Sequence, residues 1–136
     1  MGKRRGLILG ITSQAISDKA EEKFLRVMLE DGDEIVPCIK SAALGQGLSE
    51  FRVAEMRGFW KDGFMNFFQG SKFKSRKSFD VELITAGSGK FVKKGNDYTG
   101  DLHIAVKVGG GIINGTLLKG KAAKELTIRL KFLQMV

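Results

Sequence analysis

Basic side chains and aromatic rings occur together in two stretches of this chain. In residues 71–79, SKFKSRKSF, an extended backbone projects Lys72, Lys74 and Arg76 from one face and Phe73 and Phe79 from the other, with Lys77 adding a further cation. A cationic row of this kind, held by Phe73 and Phe79 as apolar anchors beneath it, can track phosphates. The competing reading of the same alternation is a solvated strand face over core phenylalanines. The second stretch is the glycine-rich segment 86–100, AGSGKFVKKGNDYTG, where Lys90, Lys93 and Lys94 sit among Phe91 and Tyr98. Read as a long loop, it offers rings that are hard to bury. An unpaired base stacked on such a ring contributes about 1–3 kcal/mol, and nearby lysines add salt-dependent attraction to phosphate. The alternative is that both rings fold back as hydrophobic plugs. Lys107 and the pair Arg129 and Lys131 face outward from two further alternating segments, so several strands carry one sign of charge.

Catalytic chemistry finds no comparable constellation. Gly87-Ser88-Gly89-Lys90 has Ile84 where a phosphate loop needs its first glycine, and Phe91 where Ser or Thr would meet magnesium. The run Val108-Gly109-Gly110-Gly111 lacks the spacing of a dinucleotide site and is better read as a bulge or bend. The acidic run at residues 30–34 has no calcium-loop ligand ladder. With a single cysteine, Cys38, and a single histidine, His103, the common zinc ligand sets are out of reach. No enzyme, cofactor, metal or small-molecule substrate is expected.

The 136 residues, 43% of them hydrophobic, are enough for one core and are read as a single domain, 1–136. Twenty-three Lys and Arg against fifteen Asp and Glu give a net charge of +8, which favours an anionic partner. The lone cysteine fits a reducing, cytoplasmic compartment, that of an infected host cell included. No segment approaches the roughly 20 apolar residues of a membrane span, so no membrane partner is expected.

The elements that would position these residues are mainly strands. Alternation at Phe79, Val81, Leu83 and Thr85, at Leu102, Ile104, Val106 and Val108, and at Leu126, Ile128, Leu130 and Phe132 predicts three of them. Residues 7–12 predict a short first strand behind the cationic leader Lys3-Arg4-Arg5. Asn114-Gly115 predicts a tight hairpin turn between the last two strands. Over residues 19–39 a capped helix competes with a hairpin about Asp31-Gly32. The β-branched Val27, Ile35, Val36 and Ile39 favour the hairpin, preceded by a helix over 19–23. Residues 49–58 predict a short helix. In residues 59–68 the spacing of Trp60, Phe64, Phe67 and Phe68 is helical, and the cluster is open to three readings: core, interface or ligand site. The expected architecture is mainly β, a small OB-like or related antiparallel barrel with one or two short helices.

Lys93-Lys94-Gly95-Asn96-Asp97-Tyr98-Thr99, leading into the strand at 102–108, resembles the lysine-glycine turn, aromatic and strand of OB-fold single-stranded-DNA-binding proteins, the helix-destabilising proteins of filamentous phages among them. Residues 24–39 are similar to the early hairpin of the smallest OB-fold bacterial translation initiation factor, though the next 40 residues depart from it. The resemblance implies base stacking by Tyr98 and backbone contacts by Lys93 and Lys94. Asp97 and Gly100 depart from the family's aromatic-rich pattern.

The expected function is binding of single-stranded DNA or RNA without sequence preference, in the manner of a phage or plasmid coating protein acting as a homo-oligomer. Lys72, Lys74, Arg76, Lys77, Lys90, Lys93, Lys94, Lys107, Arg129 and Lys131 would hold phosphates. Phe91 and Tyr98 would stack on bases, with Trp60, Phe64 and Phe73 as further stacking or interface residues. The rivals are a viral capsid or nucleoprotein-type assembly subunit, and a translation-associated RNA binder.

Overall fold

In the computed structural model of the chain, which describes residues 7–17, 20–69 and 71–135, the terminal alternating segments form strands, as expected. The elements run β1 (Leu7–Ser17), β2 (Ala20–Leu29), α1 (Ile35–Gly45), β3 (Glu50–Gln69), β4 (Lys72–Ser88), β5 (Phe91–Lys94), β6 (Asp97–Thr99), β7 (Leu102–Val108) and β8 (Gly111–Met135). The strands pair antiparallel in the order β1-β2-β8-β7-β4-β3-β5-β6, and an added β8–β3 pairing carries β3, β4, β7 and β8 into a partial ring. Among the described residues, eight strands in this order depart from the five-stranded pattern of an OB barrel. The leader Lys3-Arg4-Arg5, and Lys19 at the head of the helix expected at 19–23, lie outside the described residues.

Most of the alternation is translated into burial, with Phe79 and Thr85, at the two ends of the β4 run, exposed. Val81 and Leu83 of β4, Leu102, Ile104 and Val106 of β7, and Leu126, Ile128 and Leu130 of β8 all point into one contiguous core. On β2, Leu25, Val27 and Leu29 join them, because that strand lies in register with β8 from Ala20↔Met135 to Leu29↔Leu126.

Four expectations about local structure are corrected. The segment after Asp31-Gly32 is helix α1 and not the second arm of a hairpin. Ile35, Cys38, Ile39, Ala42 and Ala43 are its buried residues, a spacing of three and four that fits a helix and defeats the β-branched preference of Ile35 and Ile39. Pro37 lies in the first turn, where its missing N–H costs no helical bond. Residues 20–23, expected as helix, belong to β2, where pairing to both β1 and β8 decides the conformation.

Residues 50–69, expected as a short helix followed by helically spaced aromatics, are one long strand. Its register against β8 shifts four times, between Val53 and Glu55, Gly58 and Phe59, Trp60 and Asp62, and Phe64 and Met65. At Val53/Glu55 and at Trp60/Asp62 the extra residue lies in β3 and switches its inward parity, so the strand buries Phe51 and Val53, then Met56 and Trp60, then Met65, and the apolar spacing no longer reads as a strand. Finally, Asn114-Gly115 makes no turn. The chain reverses at Gly109-Gly110, closing on the pair Val108↔Gly111 with Gly109 at φ 61°. Gly115 serves close approach instead: a Cβ there would collide with the backbone oxygen of Asn66 and stand 2.7 Å from Met65 Cε.

Candidate nucleic-acid interface

The long strands β3 and β4 form a hairpin whose register runs unbroken from Gly63↔Ser78 to Gln69↔Lys72. β8 accompanies β3 only as far as Asn66↔Thr116, and β7 accompanies β4 only over Glu82–Ser88. Among the described residues, therefore, the β4 segment 72–80 pairs with β3 alone and leaves its other edge open. Lys72, Lys74, Arg76 and Lys77 are all exposed on this segment. Strand alternation puts Lys72, Lys74 and Arg76 on one face and Phe73, Ser75 and Lys77 on the other, as the sequence predicts.

The rings beneath that row are not core anchors, which corrects the expectation that Phe73 and Phe79 hold it from below. Phe73 is 59% exposed and Phe79 61% exposed. Phe68, directly across from Phe73 in the register, is 70% exposed, and the two rings meet edge to face at 5.1 Å. Lys77 Nζ lies 5.2 Å from the Phe79 ring centre, a cation–π distance. In the sequence Phe68 stands out only as part of a helically spaced cluster. The symmetric pattern Phe68-Gln-Gly-Ser-Lys-Phe73 is a hairpin signal that would have found the pair.

The second stretch is corrected more strongly. Phe91 and Tyr98 are both 2% exposed. Phe91 is stacked on Phe51 at 4.9 Å with planes 2° apart, and Tyr98 meets Phe51 edge-on at 5.1 Å. The Tyr98 hydroxyl donates to the Leu48 carbonyl oxygen at 2.6 Å, and desolvation pushes its pKa above the ordinary phenol value. These rings plug the core between β3 and the β5–β6 hairpin and cannot stack on a base without unfolding that corner. Trp60, also 2% exposed, is core as well, and Phe64 is half-buried.

The lysines of the β5–β6 hairpin remain outside. Lys93 and Lys94 are exposed, whereas Lys90 pairs with Glu50 at 3.3 Å. Asp97 accepts the Tyr98 backbone N–H at 2.8 Å and pairs with Lys40 at 3.0 Å, and these contacts hold its carboxyl below the usual range. Lys107 is exposed on β7, across from Glu82. Arg129 and Lys131 are half-buried on the face of β8 turned away from its core residues. Arg129 also lies over the Phe24 ring at 4.3 Å. The predicted cations thus fall into separate zones: the β3–β4 hairpin, the β5–β6 tip, Lys107 on β7 and the outer face of β8.

A cleft of about 710 Å³ opens beside the hairpin, with Phe68, Phe73, Asn66, His103, Asn114 and Thr116 on its walls. The described residues bring no three or more His, Cys, Asp or Glu side chains together in a metal-holding arrangement. Among them, no helix is long and apolar enough to cross a membrane.

No protein-family model matches the chain, and no curated protein matches it either. Solved structures do. The chain is similar to a plant- and prokaryote-conserved (PPC) protein of Pyrococcus horikoshii, with 16% identity over 94% of this chain and 85% of that one, at a TM-score of 0.68. It is similar to a candidate DNA-binding protein of Ralstonia eutropha JMP134, with 15% identity, 82% and 77% coverage and a TM-score of 0.66. It is also similar to a candidate DNA-binding protein of Bacteroides thetaiotaomicron VPI-5482, with 13% identity, 89% and 82% coverage and a TM-score of 0.64. At these identities the likeness is one of fold.

Proposed function

We propose that this chain is a non-catalytic nucleic-acid-binding protein that prefers single strands and reads little sequence, with the β3–β4 hairpin as its principal contact. The observation that carries the reading is the open segment 72–80 of β4. It holds Lys72, Lys74 and Arg76 on one face and the exposed Phe73 on the other, beside Phe68. Cations on a free strand edge follow a phosphate backbone, and an edge-to-face aromatic pair at a hairpin end offers ring surface to an unpaired base. The net charge of +8 adds long-range attraction. Two structures of the same fold come from candidate DNA-binding proteins, which agrees with this reading. The stacking role passes from Phe91 and Tyr98 to Phe68 and Phe73, and Lys93 and Lys94 become secondary contacts. Cys38, the single cysteine of the sequence and buried, fits a cytoplasmic setting.

A second reading draws on the same exposed rings. Phe68 and Phe73 meet at the hairpin end, and Phe79, Ile112 and Leu118 are exposed as well, apolar side chains of the kind that interaction surfaces present. That favours a homo-oligomer whose copies cover some of them.

Fluorescence anisotropy with labelled single-stranded DNA, single-stranded RNA and duplex, titrated at several salt concentrations, tests the proposal. The expected result is tighter binding of single strands, weakening steeply with salt. Equal affinity for duplex and single strands, or no binding at low salt, refutes it.

A further inference from the structure

On the face of the sheet turned away from α1, β2, β8 and β3 bring together three arginines distant in sequence. Arg26 and Arg129 are direct register partners, Glu55 is the β3 partner of Arg129, and Arg57 is the partner of Thr127. Arg26, Arg57 and Arg129 line a concavity of about 580 Å³ together with Glu55, Thr12 and Thr127. Glu55 is the carboxylate of the group. It accepts from Arg57 Nε and lies 3.7 Å from Arg129 Nη1. Among the described residues no carboxylate pairs with Arg26. Like charges directly opposite on neighbouring strands destabilise a sheet, so an arginine facing an arginine is a cost that an anionic ligand would turn into a gain.

The chemistry of the group is specific. Guanidinium presents a planar fork of donors that matches phosphate oxygens in pairs, and it stays charged throughout the accessible pH range. Three arginines against one glutamate leave two positive charges in excess, and the hydroxyls of Thr12 and Thr127 add uncharged donors at the rim. A terminal phosphoryl group carries a charge of about −1.5 to −2 at neutral pH, whereas a backbone phosphodiester carries one negative charge. The Phe24 ring, already beneath Arg129, holds that guanidinium in place.

We infer that the Arg26–Arg57–Arg129 concavity is a binding site for a terminal phosphoryl group. The site, built from β2, β8 and residues 55–57 of β3, is separate from the open segment 72–80 of β4 and does not depend on the nucleic-acid reading. The group could belong to a free phosphate compound, a mononucleotide or the 5′ end of a strand, and these sources share the same recognition chemistry.

Isothermal titration in a phosphate-free buffer tests the inference, with inorganic pyrophosphate, a nucleoside 5′-monophosphate, and one oligonucleotide with and without a 5′-phosphate as probes. Pyrophosphate is expected to bind, and Arg26→Gln to weaken it roughly tenfold or more, in line with the loss of one charge-assisted contact. Lys72→Gln should leave pyrophosphate binding unchanged. Affinity should fall between pH 7 and pH 5, as the dianionic phosphoryl group takes up one proton near pH 6 and loses a negative charge. The mononucleotide and the 5′-phosphorylated oligonucleotide report which source the site accepts. Arg57→Gln provides a second test, and far-ultraviolet circular dichroism checks that each variant is folded. No binding of pyrophosphate, binding indifferent to both arginine variants, or an Arg26 effect confined to the oligonucleotide without a terminal phosphate overturns the inference. Loss of oligonucleotide binding in the hairpin variants, with pyrophosphate binding intact, refers to the hairpin alone.

Discussion

Replacing Lys72, Lys74 and Arg76 together by glutamine removes three cations from the open segment of β4 while leaving the buried Val81 and Leu83 of that strand untouched. Each phosphate contact on a single strand contributes about 0.7 to the slope of log affinity against log salt, so three contacts contribute about 2. Between roughly 50 and 200 mM salt, wild-type affinity should therefore fall about twentyfold further than that of the variant. The two titration lines should converge at high salt. All three side chains are exposed, so the thermal midpoint should stay close to the wild-type value, as for surface substitutions away from special features. Anisotropy of a labelled oligothymidine at four or five salt concentrations measures both slopes. Parallel lines would refute the assignment of this row to phosphate contact, even if the variant binds more weakly overall.

Other residues separate binding from stability. Phe73→Ala should weaken single-strand binding by about 1–3 kcal/mol, the range for one stacked base, with little loss of stability in urea unfolding. Tyr98→Phe should do the reverse. It leaves the Leu48 carbonyl without its partner and should cost about 1 kcal/mol of stability with unchanged affinity for oligonucleotides. Gly115→Ala forces a methyl group against Asn66 and Met65, and should cost about 1–3 kcal/mol in the same urea assay. Asp31 accepts the Lys124 backbone N–H and pairs with Lys61, contacts that hold its carboxyl below the ordinary range. A depressed native pKa gives stability that is present above the unfolded-state pKa and lost as pH falls through the native one. Asp31→Asn should accordingly flatten the acid limb of the stability curve, measured by thermal unfolding from pH 6 down to pH 2.

The parts of the fold that local pattern could reveal are those in which one face of a regular strand is buried. β7 and the end of β8 obey this rule, and their alternation predicted both the strands and the inward residues. β3 escaped because its bulges reset the parity, giving Trp60 and Met65 the same inward role five positions apart. α1 escaped because β-branched residues at Ile35, Val36 and Ile39 outweighed a buried spacing of three and four. The candidate site was legible to a similar degree. The cationic alternation of residues 72–76 follows from local pattern alone. The burial of Tyr98 depends on Leu48 and Phe51, about fifty residues away, and no local signal announces such a contact. The arginine cluster is likewise a product of register, since Arg26, Arg57 and Arg129 meet only when β2, β3 and β8 are paired.

In the proposed complex a nucleic-acid strand meets the β3–β4 hairpin and not the aromatic residues of the β5–β6 hairpin. Photocrosslinking of the wild-type protein to an oligonucleotide carrying 5-iodouracil, followed by peptide mass mapping, tests this most directly. Adducts are expected at Phe68 or Phe73. Adducts confined to Phe91 or Tyr98 would contradict this contact.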